Sequence, residues 1–230
     1  MSFATEGVER YIEVFGGAGW VLFSKEKHAK LEVYNDADKQ LVNLFRCAKY
    51  HVDELVKEID TLCINSREFF EEFKEQIDLR GLTDIQRAAR FYLLIRMSFG
   101  ADRRSFGCSN KNILDKTKYL LDIQERLKNV VIENRDFQKI IKTYDRPNAL
   151  FYLDPPYHGT ESFYDVAFNI DEHLRLKNSL SSIKGKFLLS YNDDDFIREL
   201  YKDFNIIAIS RGNNISSKGS IFKELIIKNY

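Results

Sequence analysis

The sequence predicts an α/β protein whose mixed sheet ends in an antiparallel hairpin and is interrupted by an inserted helical lobe. Short β-branched and aromatic segments recur along the chain, and several run into a glycine, proline or acidic turn. Residues 50–128 instead repeat their apolar positions at helical spacing. We therefore expect one α/β domain built from residues 1–49 and 129–230, with residues 50–128 as the insert.

Length and composition limit the class of protein. The 230 residues, 44% of them hydrophobic and 13% aromatic, suffice for one sizeable core with an added lobe. No apolar run approaches the roughly 20 residues that span a bilayer, and residues 1–6 lack the features of a signal peptide. We therefore expect a cytoplasmic location and no membrane partner.

Cysteine and histidine give no sign of a metal centre. The three cysteines are widely spaced and odd in number, and the four histidines show no ligand spacing such as HExxH. We expect neither a disulfide framework nor a bound metal. Basic and acidic residues both number 35, so net charge does not indicate a nucleic-acid partner.

Charge is distributed unevenly within the predicted insert. Residues 53–78 hold nine acids and three bases, whereas residues 96–118 hold six bases and two acids. The second segment suits contacts with phosphate, although a solvated helix or loop face explains it equally well. Its bases are Arg96, Arg103, Arg104, Lys111, Lys116 and Lys118.

The first predicted strand, residues 10–15, runs directly into Gly16-Gly17-Ala18-Gly19. This pattern is similar to the first βα turn of a doubly wound sheet, where glycine lets the backbone approach a cofactor closely. The FxGxG pattern is weak by itself, because any glycine-rich turn produces it.

A second strand, residues 31–36, ends in acids. Asp36 stands where a Rossmann-like site hydrogen-bonds ribose hydroxyls, and Asp38 is the next candidate. Alternatively, Asn35 or one of these two acids caps the helix that begins near Lys39. Both roles can hold together.

The third strand, residues 130–132, follows the insert and is followed by Asp136 and Phe137. These two residues offer an acceptor and an apolar face to an adenine ring, and a helix start is the alternative interpretation. Within the insert, residues 98–107 combine glycines with arginines and aromatic residues, which is typical of an exposed loop.

The strand over residues 151–153 stops at Asp154-Pro155-Pro156-Tyr157. Prolines fix φ and lack a backbone donor, so they hold the chain rigidly where the strand ends. A carboxylate acceptor and an aromatic face are the groups that hold a planar base with an exocyclic amine, once it has left a duplex. A proline-terminated strand with a chance acid is the alternative.

The remaining chain is predicted to alternate between loops, helices and strands. We expect a loop over 157–168, a helix capped by Asp171 and ending near residue 184, a strand over 187–190, a polar turn over 191–194, a helix over 196–201, a strand over 206–209, and a hairpin made by the turn 211–219 and a strand over 222–228.

In this order the motifs resemble the Dam-like (D12 class, alpha-group) adenine-specific DNA methyltransferases. The order is FxGxG, Asn-Asp, a helical insert, Asp-Phe, DPPY, SYND and a terminal KELIIKNY, which together cover about residues 11–230. DPPY alone is moderately specific, and DPPY with ordered flanking motifs is strongly so. The resemblance implies a Rossmann-like S-adenosylmethionine-dependent methyltransferase fold and methyl transfer from that cofactor to adenine N6.

The resemblance also implies roles for individual residues. Cofactor binding is implied for Phe15, Gly17, Ala18, Gly19, Asp36, Asp136 and Phe137. The catalytic pocket is implied at Asp154, Pro155, Pro156 and Tyr157. Contacts with double-stranded DNA, including those beside the target pocket, are implied for Arg96, Arg103, Arg104, Lys111, Ser190 and Asn192. A restriction endonuclease partner is a further expectation.

The chemistry explains why these groups are wanted. If Asp154 and the Pro155 carbonyl accept the two N6 hydrogens, the nitrogen can pyramidalise toward a sulfonium methyl while Tyr157 stacks on the extruded base. No metal is required. Family members usually carry Gly-Gly-Lys before the first strand, and the residues before Tyr11 do not match it, so a weak or inactive DNA-binding relic is one alternative. Proline is common in the family where Val14 stands, a change that we expect to be tolerated. An RNA adenine methyltransferase is a further alternative.

Overall fold

A computed structural model describes residues 7–107, 112–159, 168–212 and 221–230. Within these residues the strands form one seven-stranded mixed sheet of order β3-β2-β1-β4-β5-β7-β6. The strands are β1 (Arg10–Glu13), β2 (Leu31–Asn35), β3 (Val130–Glu133), β4 (Ala149–Leu153), β5 (Lys186–Asn192), β6 (Asn205–Gly212) and β7 (Ile221–Lys228).

The described residues also form eight α-helices. They are α1 (Lys39–Tyr50), α2 (Val52–Leu62), α3 (Arg67–Gln76), α4 (Asp84–Met97), α5 (Tyr119–Leu127), α6 (Phe137–Tyr144), α7 (Ile170–Ser181) and α8 (Asp195–Leu200). Short 3₁₀ helices occupy Leu22–Ser24, Phe99–Ala101 and Ile113–Lys116. None of these helices is long and apolar enough to cross a membrane.

The central strands are parallel and buried. Strand β1 pairs in parallel with β2 and β4, and β4 pairs in parallel with β5. In this register Ile12 lies between Val33 and Phe151, and Phe151 faces Phe187; all four side chains are fully buried. Strands covered on both faces read as nearly continuous apolar runs, which explains the composition of this part of the sequence.

The chain divides into two compact units. The first, here called the sheet unit, comprises residues 1–38 and 133–230, and the second, the helical unit, comprises residues 39–132. The helical unit has its own core, in which Leu55, Phe70 and Leu93 are fully buried. The helical unit also includes α1, because α1 packs on α4 and α5. The predicted insert, residues 50–128, does not include this helix.

The predicted α/β fold class is confirmed, and three local predictions are wrong. Strand β5 continues through Tyr191 and Asn192, where a turn was predicted, because these residues pair with β7. Asn169, and not Asp171, caps α7 by accepting a hydrogen bond from the Glu172 amide at 3.2 Å. The glycine turn leads only to the short 3₁₀ helix at Leu22–Ser24, whereas an α-helix follows the first turn of a doubly wound sheet.

Three predicted features lie outside the described residues, wholly or in part. The whole of the N-terminal segment 1–6 does so, and so does most of the loop predicted over 157–168. Most of the turn predicted over 211–219 does as well.

Candidate active site

Parallel pairing brings the predicted site residues to one edge of the sheet. Because parallel strands end on the same side, the carboxyl ends of β1, β2, β4 and β5 meet at this edge. Ligands of open α/β sheets bind beside such carboxyl ends. The glycine turn follows β1, Asp36 follows β2, Asp154 follows β4, and Ser190 lies near the end of β5.

The glycine turn after β1 is locked to the end of β2. Gly17 and Gly19 adopt the left-handed region, with φ of 50° and 71°. The Gly17 amide donates to Asp36 Oδ2 at 2.8 Å, and the Asp38 amide donates to Asp36 Oδ1 at 2.7 Å. Burial raises the Asp36 pKa above its ordinary value, and the two amide hydrogen bonds only partly oppose that rise. Asp36 therefore positions the turn whatever else it binds.

Tyr34 packs beneath the same turn. Its hydroxyl donates to the Gly17 carbonyl at 2.7 Å. A β-carbon at Gly16 would lie 2.2 Å from the Tyr34 ring, closer than any real contact. Glycine at position 16 is thus required by close packing and not by its φ angle.

Asn35 joins β1, β2 and the segment after β3. Its amide nitrogen donates to the Val14 carbonyl at 2.9 Å and to the Arg135 carbonyl at 3.0 Å, and its oxygen accepts from the Arg135 amide at 2.9 Å. The side chain is buried, so these bonds satisfy it fully. Asn35 therefore fixes the approach to Asp136 and does not cap the helix that follows.

A cavity of about 330 Å³ opens between the glycine turn and the end of β4. Asp154 and Tyr157, which follow β4, line it together with Gly17, which follows β1. The full lining consists of Glu13, Phe15, Gly16, Gly17, Ala18, Trp20, Val21, Tyr152, Asp154 and Tyr157. The Asp154 side chain is exposed at its rim, whereas Pro155 is buried and Pro156 half-buried beside it.

Tyr157 is anchored through its hydroxyl. That oxygen lies 3.0 Å from Ser190 Oγ and 3.3 Å from Glu224 Oε1, and both partner side chains are buried. Burial raises the Tyr157 pKa far above its usual range, and the negative charge of Asp154 adds to the rise. Tyr157 therefore stays protonated and presents an aromatic face without acting as a base.

A second polar cluster adjoins Tyr157 and is formed by His158, Asn192 and Asp194. His158 Nδ1 lies 2.6 Å from Asp194 Oδ2, and its ring stacks on Phe196 with centroids 4.5 Å apart. Asn192 Nδ2 donates to the His158 carbonyl at 3.0 Å. Asp194 also caps α8 by accepting from the Ile197 amide at 2.8 Å. These bonds hold the residue after Tyr157 against β5 and α8.

Comparison with known proteins identifies the family. The profile of the D12 class N6 adenine-specific DNA methyltransferases matches residues 2–215. The chain belongs to this family. It is 29% identical to the Type II methyltransferase M1.LlaDCHI of Lactococcus lactis subsp. cremoris, across 98% of this chain and 88% of that protein. It is also 29% identical to the Type II methyltransferase M.MjaIII of Methanocaldococcus jannaschii, across 97% and 89%.

A viral relative extends the comparison. The Type II methyltransferase M.CviBI of Paramecium bursaria Chlorella virus NC1A is 27% identical, across 84% of this chain and 77% of that protein. The protein is therefore an enzyme that methylates adenine N6 in DNA. Membership of a methyltransferase family implies S-adenosylmethionine as the methyl donor.

In this methyltransferase, Asp136 and Phe137 are both engaged by Arg175. Arg175 donates to both Asp136 carboxylate oxygens, at 3.0 and 2.7 Å, and its guanidinium carbon lies 4.1 Å from the centre of the Phe137 ring. Asp136 also caps α6 through the Gln138 amide. Burial would raise the Asp136 pKa, but the Arg175 hydrogen bonds and charge outweigh it and hold that pKa below its usual value.

The predicted DNA-contacting residues of the methyltransferase lie in different environments. Arg96 donates to Asp115 at 2.6 Å, and the Arg103 guanidinium lies 4.7 Å over the Phe91 ring. Arg104 is exposed on the same loop as Phe99, whose side chain is 75% exposed. Lys111 lies outside the described residues.

The resemblance also implies DNA contact for two residues of the sheet unit, Ser190 and Asn192. In the structure both side chains hold the segment of Tyr157 and His158. Ser190 is buried under Tyr157, and Asn192 holds the His158 carbonyl. Neither side chain lies in the cavity lining. Among the described residues, no cluster of acidic, histidine and cysteine side chains could hold a metal ion.

Among the residues of the site that sequence reasoning missed are Glu13, Trp20, Arg175 and Glu224. Glu13 ends β1 and Glu224 follows Lys223 in β7, and both acids are buried. A buried acid is costly unless it is paired, but an acid at a strand end or beside a lysine gives no clear sequence signal of its burial. Arg175 gives no signal either, because an arginine on a helix is ordinary.

Proposed function

We propose that Asp154, Pro155, Pro156 and Tyr157 hold the extruded target adenine, with the methyl donor on the glycine side of the same cavity. The observation that carries this proposal is that Asp154 and Tyr157 share the cavity of about 330 Å³ with Phe15, Gly17 and Ala18. A carboxylate acceptor and the glycine turn thus line one space.

The chemistry of this arrangement is alignment. Asp154 accepts one N6 hydrogen bond and the Pro155 carbonyl accepts the other, so the nitrogen lone pair is released from conjugation with the ring and directed across the cavity. S-adenosylmethionine, when bound, supplies an electrophilic methyl on a sulfonium. Tyr157, protonated and fixed by Ser190 and Glu224, offers its ring to the base.

The cofactor's remaining contacts are assigned to the turn and to the start of α6. Phe15, Gly17, Ala18 and Gly19 would face its methionine end and Asp36 its ribose. Asp136 and Phe137 would face its adenine. Arg175 fixes the Asp136 carboxylate in one orientation. Because Oδ1 also accepts from the Gln138 amide at 3.0 Å, Oδ2 is the oxygen assigned to the ligand. Phe137 is only 5% exposed, so its ring would form the buried base of the site for the cofactor's adenine.

Double-stranded DNA is the proposed form of the substrate, and the loop of residues 98–106 in the helical unit is a proposed contact. That loop carries Arg103, Arg104 and the exposed Phe99, and residues 101 and 103 hold left-handed φ angles near 60° that set its shape. Because three curated relatives are named Type II methyltransferases, a restriction endonuclease partner is part of the proposal. So is a cytoplasmic location.

The test is methyl incorporation from labelled S-adenosylmethionine into duplex DNA of varied sequence. We expect label to appear as N6-methyladenine, to be lost in Asp154→Ala, and to be retained in a control such as Ile207→Ala, an exposed position on β6. Sequencing the modified adenines after expression in an unmethylated host identifies the recognition site. Wild-type protein that binds the cofactor yet labels no duplex contradicts the assignment, and label in RNA alone would transfer it to that polymer.

A further inference from the structure

Trp20 is the most exposed large hydrophobic side chain described, at 83%, and it lines the active-site cavity. Tryptophan is highly buried on average, because its large surface gains much from leaving water. An indole left in water at the rim of a ligand cavity forgoes that gain until a ligand covers it. No aromatic stacking partner for it is found among the described residues.

The backbone beneath Trp20 is rigid. The Gly19 amide donates to the Gly16 carbonyl at 2.8 Å, and the Phe23 amide donates to the Gly19 carbonyl at 2.9 Å. A β-carbon at Gly19 would lie 2.7 Å from the Phe23 ring, so the turn is also tightly packed on its inner side. Exposure of the indole therefore does not reflect a loosely held segment, and the turn presents it beside the cavity.

The cavity admits one planar ligand group under the proposed function. The cofactor's adenine is assigned to Asp136 and Phe137, neither of which lines this cavity, and its methionine end is not planar. The other planar group is the target adenine, whose pocket residues Asp154 and Tyr157 line the cavity together with Trp20.

We propose that Trp20 is the second aromatic wall of the target-base pocket, stacking on the extruded adenine from the side of the glycine turn. The inference rests on the proposed function and deepens it. An aromatic wall of this kind stabilises the extruded base without reading its edge, so Trp20 contributes to capture of the base, and Asp154 remains the group that recognises its amine.

Trp20 is the sole tryptophan of the chain, so its fluorescence reports on this position alone. Emission is measured with saturating S-adenosylhomocysteine, then with a duplex that accepts label, then with the same duplex carrying an abasic site in place of the target adenine. We expect strong quenching only with the intact duplex, because only that duplex supplies a base to stack. Equal quenching by the abasic duplex, or full quenching by S-adenosylhomocysteine alone, overturns the proposal.

Kinetics supply the second measurement. Trp20→Ala is expected to lower kcat/KM by roughly fivefold to a hundredfold, the range given by loss of one aromatic–base stack, with unchanged calorimetric affinity for S-adenosylhomocysteine. Trp20→Phe should recover part of the loss, and Ile207→Ala should match wild type. Wild-type kcat/KM in Trp20→Ala contradicts this inference alone. If the wild type labels no duplex at all, the proposed function fails and this inference falls with it.

Discussion

The Tyr157 hydroxyl lies 3.0 Å from Ser190 Oγ, which joins the residue after the two prolines to the C-terminal half of the neighbouring strand β5. Glu224 of β7 approaches the same hydroxyl at 3.3 Å. Two strands therefore fix the ring of Tyr157 from beneath, and the orientation of the proposed base-stacking face depends on side chains far from it in sequence.

Tyr157→Phe tests whether the hydroxyl serves mainly as an anchor. The substitution leaves the buried Ser190 and Glu224 side chains with one partner fewer, so we expect a loss of about 1–2 kcal/mol in unfolding free energy. Activity should fall only modestly, because the ring remains. Tyr157→Ala should lower kcat/KM by roughly tenfold to a hundredfold through lost stacking. Denaturant unfolding and label incorporation measure the two effects, and equal kinetics for Phe and Ala would contradict the stacking role.

Asp194 is expected to stabilise the segment after Tyr157 through three contacts. It caps α8, meets His158 Nδ1 at 2.6 Å and accepts from Asn192 Nδ2 at 3.3 Å. Asp194→Ala removes all three and should cost about 1–2 kcal/mol, the range for a lost helix cap. Asp194→Asn preserves the cap and should cost less. Urea unfolding of the two variants provides the measurement, and identical losses would show that the cap contributes nothing.

Gly16 and Gly17 should respond to alanine for different reasons. Gly16→Ala places a β-carbon 2.2 Å from the Tyr34 ring, so we expect a loss of about 3 kcal/mol from overpacking. Gly17→Ala meets open space but must hold a φ of 50°, which costs roughly 1–2 kcal/mol. Thermal or urea unfolding should rank them in that order. The reverse order would mean that the Tyr34 ring moves aside easily.

The sequence predicts the site residues that stand at strand ends, and it does not predict those whose role depends on a side chain distant in the sequence. Asp36, Asp154 and the glycine turn follow strand ends, and strand ends are visible as apolar runs that stop at polar or glycine residues. Parallel pairing then brings them to one edge. The fold class could be predicted for the same reason.

The interactions that the sequence did not predict are side-chain contacts between distant segments. The resemblance implies DNA contact for Ser190 and Asn192, and the structure adds that their side chains hold Tyr157 and His158. The pairing of Arg175 with Asp136 joins two helices 39 positions apart. Local pattern carries no information about such pairs, because each residue is ordinary in its own segment.

The pair formed by Asp136 and Arg175 should be sensitive to pH. The Asp136 pKa is lowered, so the charged form is favoured in the folded state, and the resulting stability is present above the unfolded pKa of about 4. It is lost as pH falls through the still lower folded pKa. A double-mutant cycle with Asp136→Asn and Arg175→Met should give a coupling of about 1 kcal/mol near neutral pH, since the pair is partly exposed.

The same cycle repeated at acidic pH, where Asp136 is protonated, should give a coupling near zero. Asparagine at position 136 keeps the α6 cap, and methionine at position 175 keeps an apolar stem over Phe137, so the cycle reports mainly the ion pair. Coupling that persists unchanged after protonation would show that the contact is neutral hydrogen bonding and packing.

Arg104 and Arg96 should differ in their effect on DNA binding, although both belong to the basic segment 96–118. Arg104 is exposed on the loop with Phe99, whereas Arg96 is held by Asp115 at 2.6 Å. If Arg104 contacts a phosphate, Arg104→Ala should weaken duplex binding and reduce the slope of log affinity against log salt by about 1. Arg96→Ala should lower stability instead and leave that slope unchanged. Binding measured by fluorescence anisotropy across a salt series distinguishes them, and a change of slope in Arg96→Ala but not in Arg104→Ala would reverse the assignment.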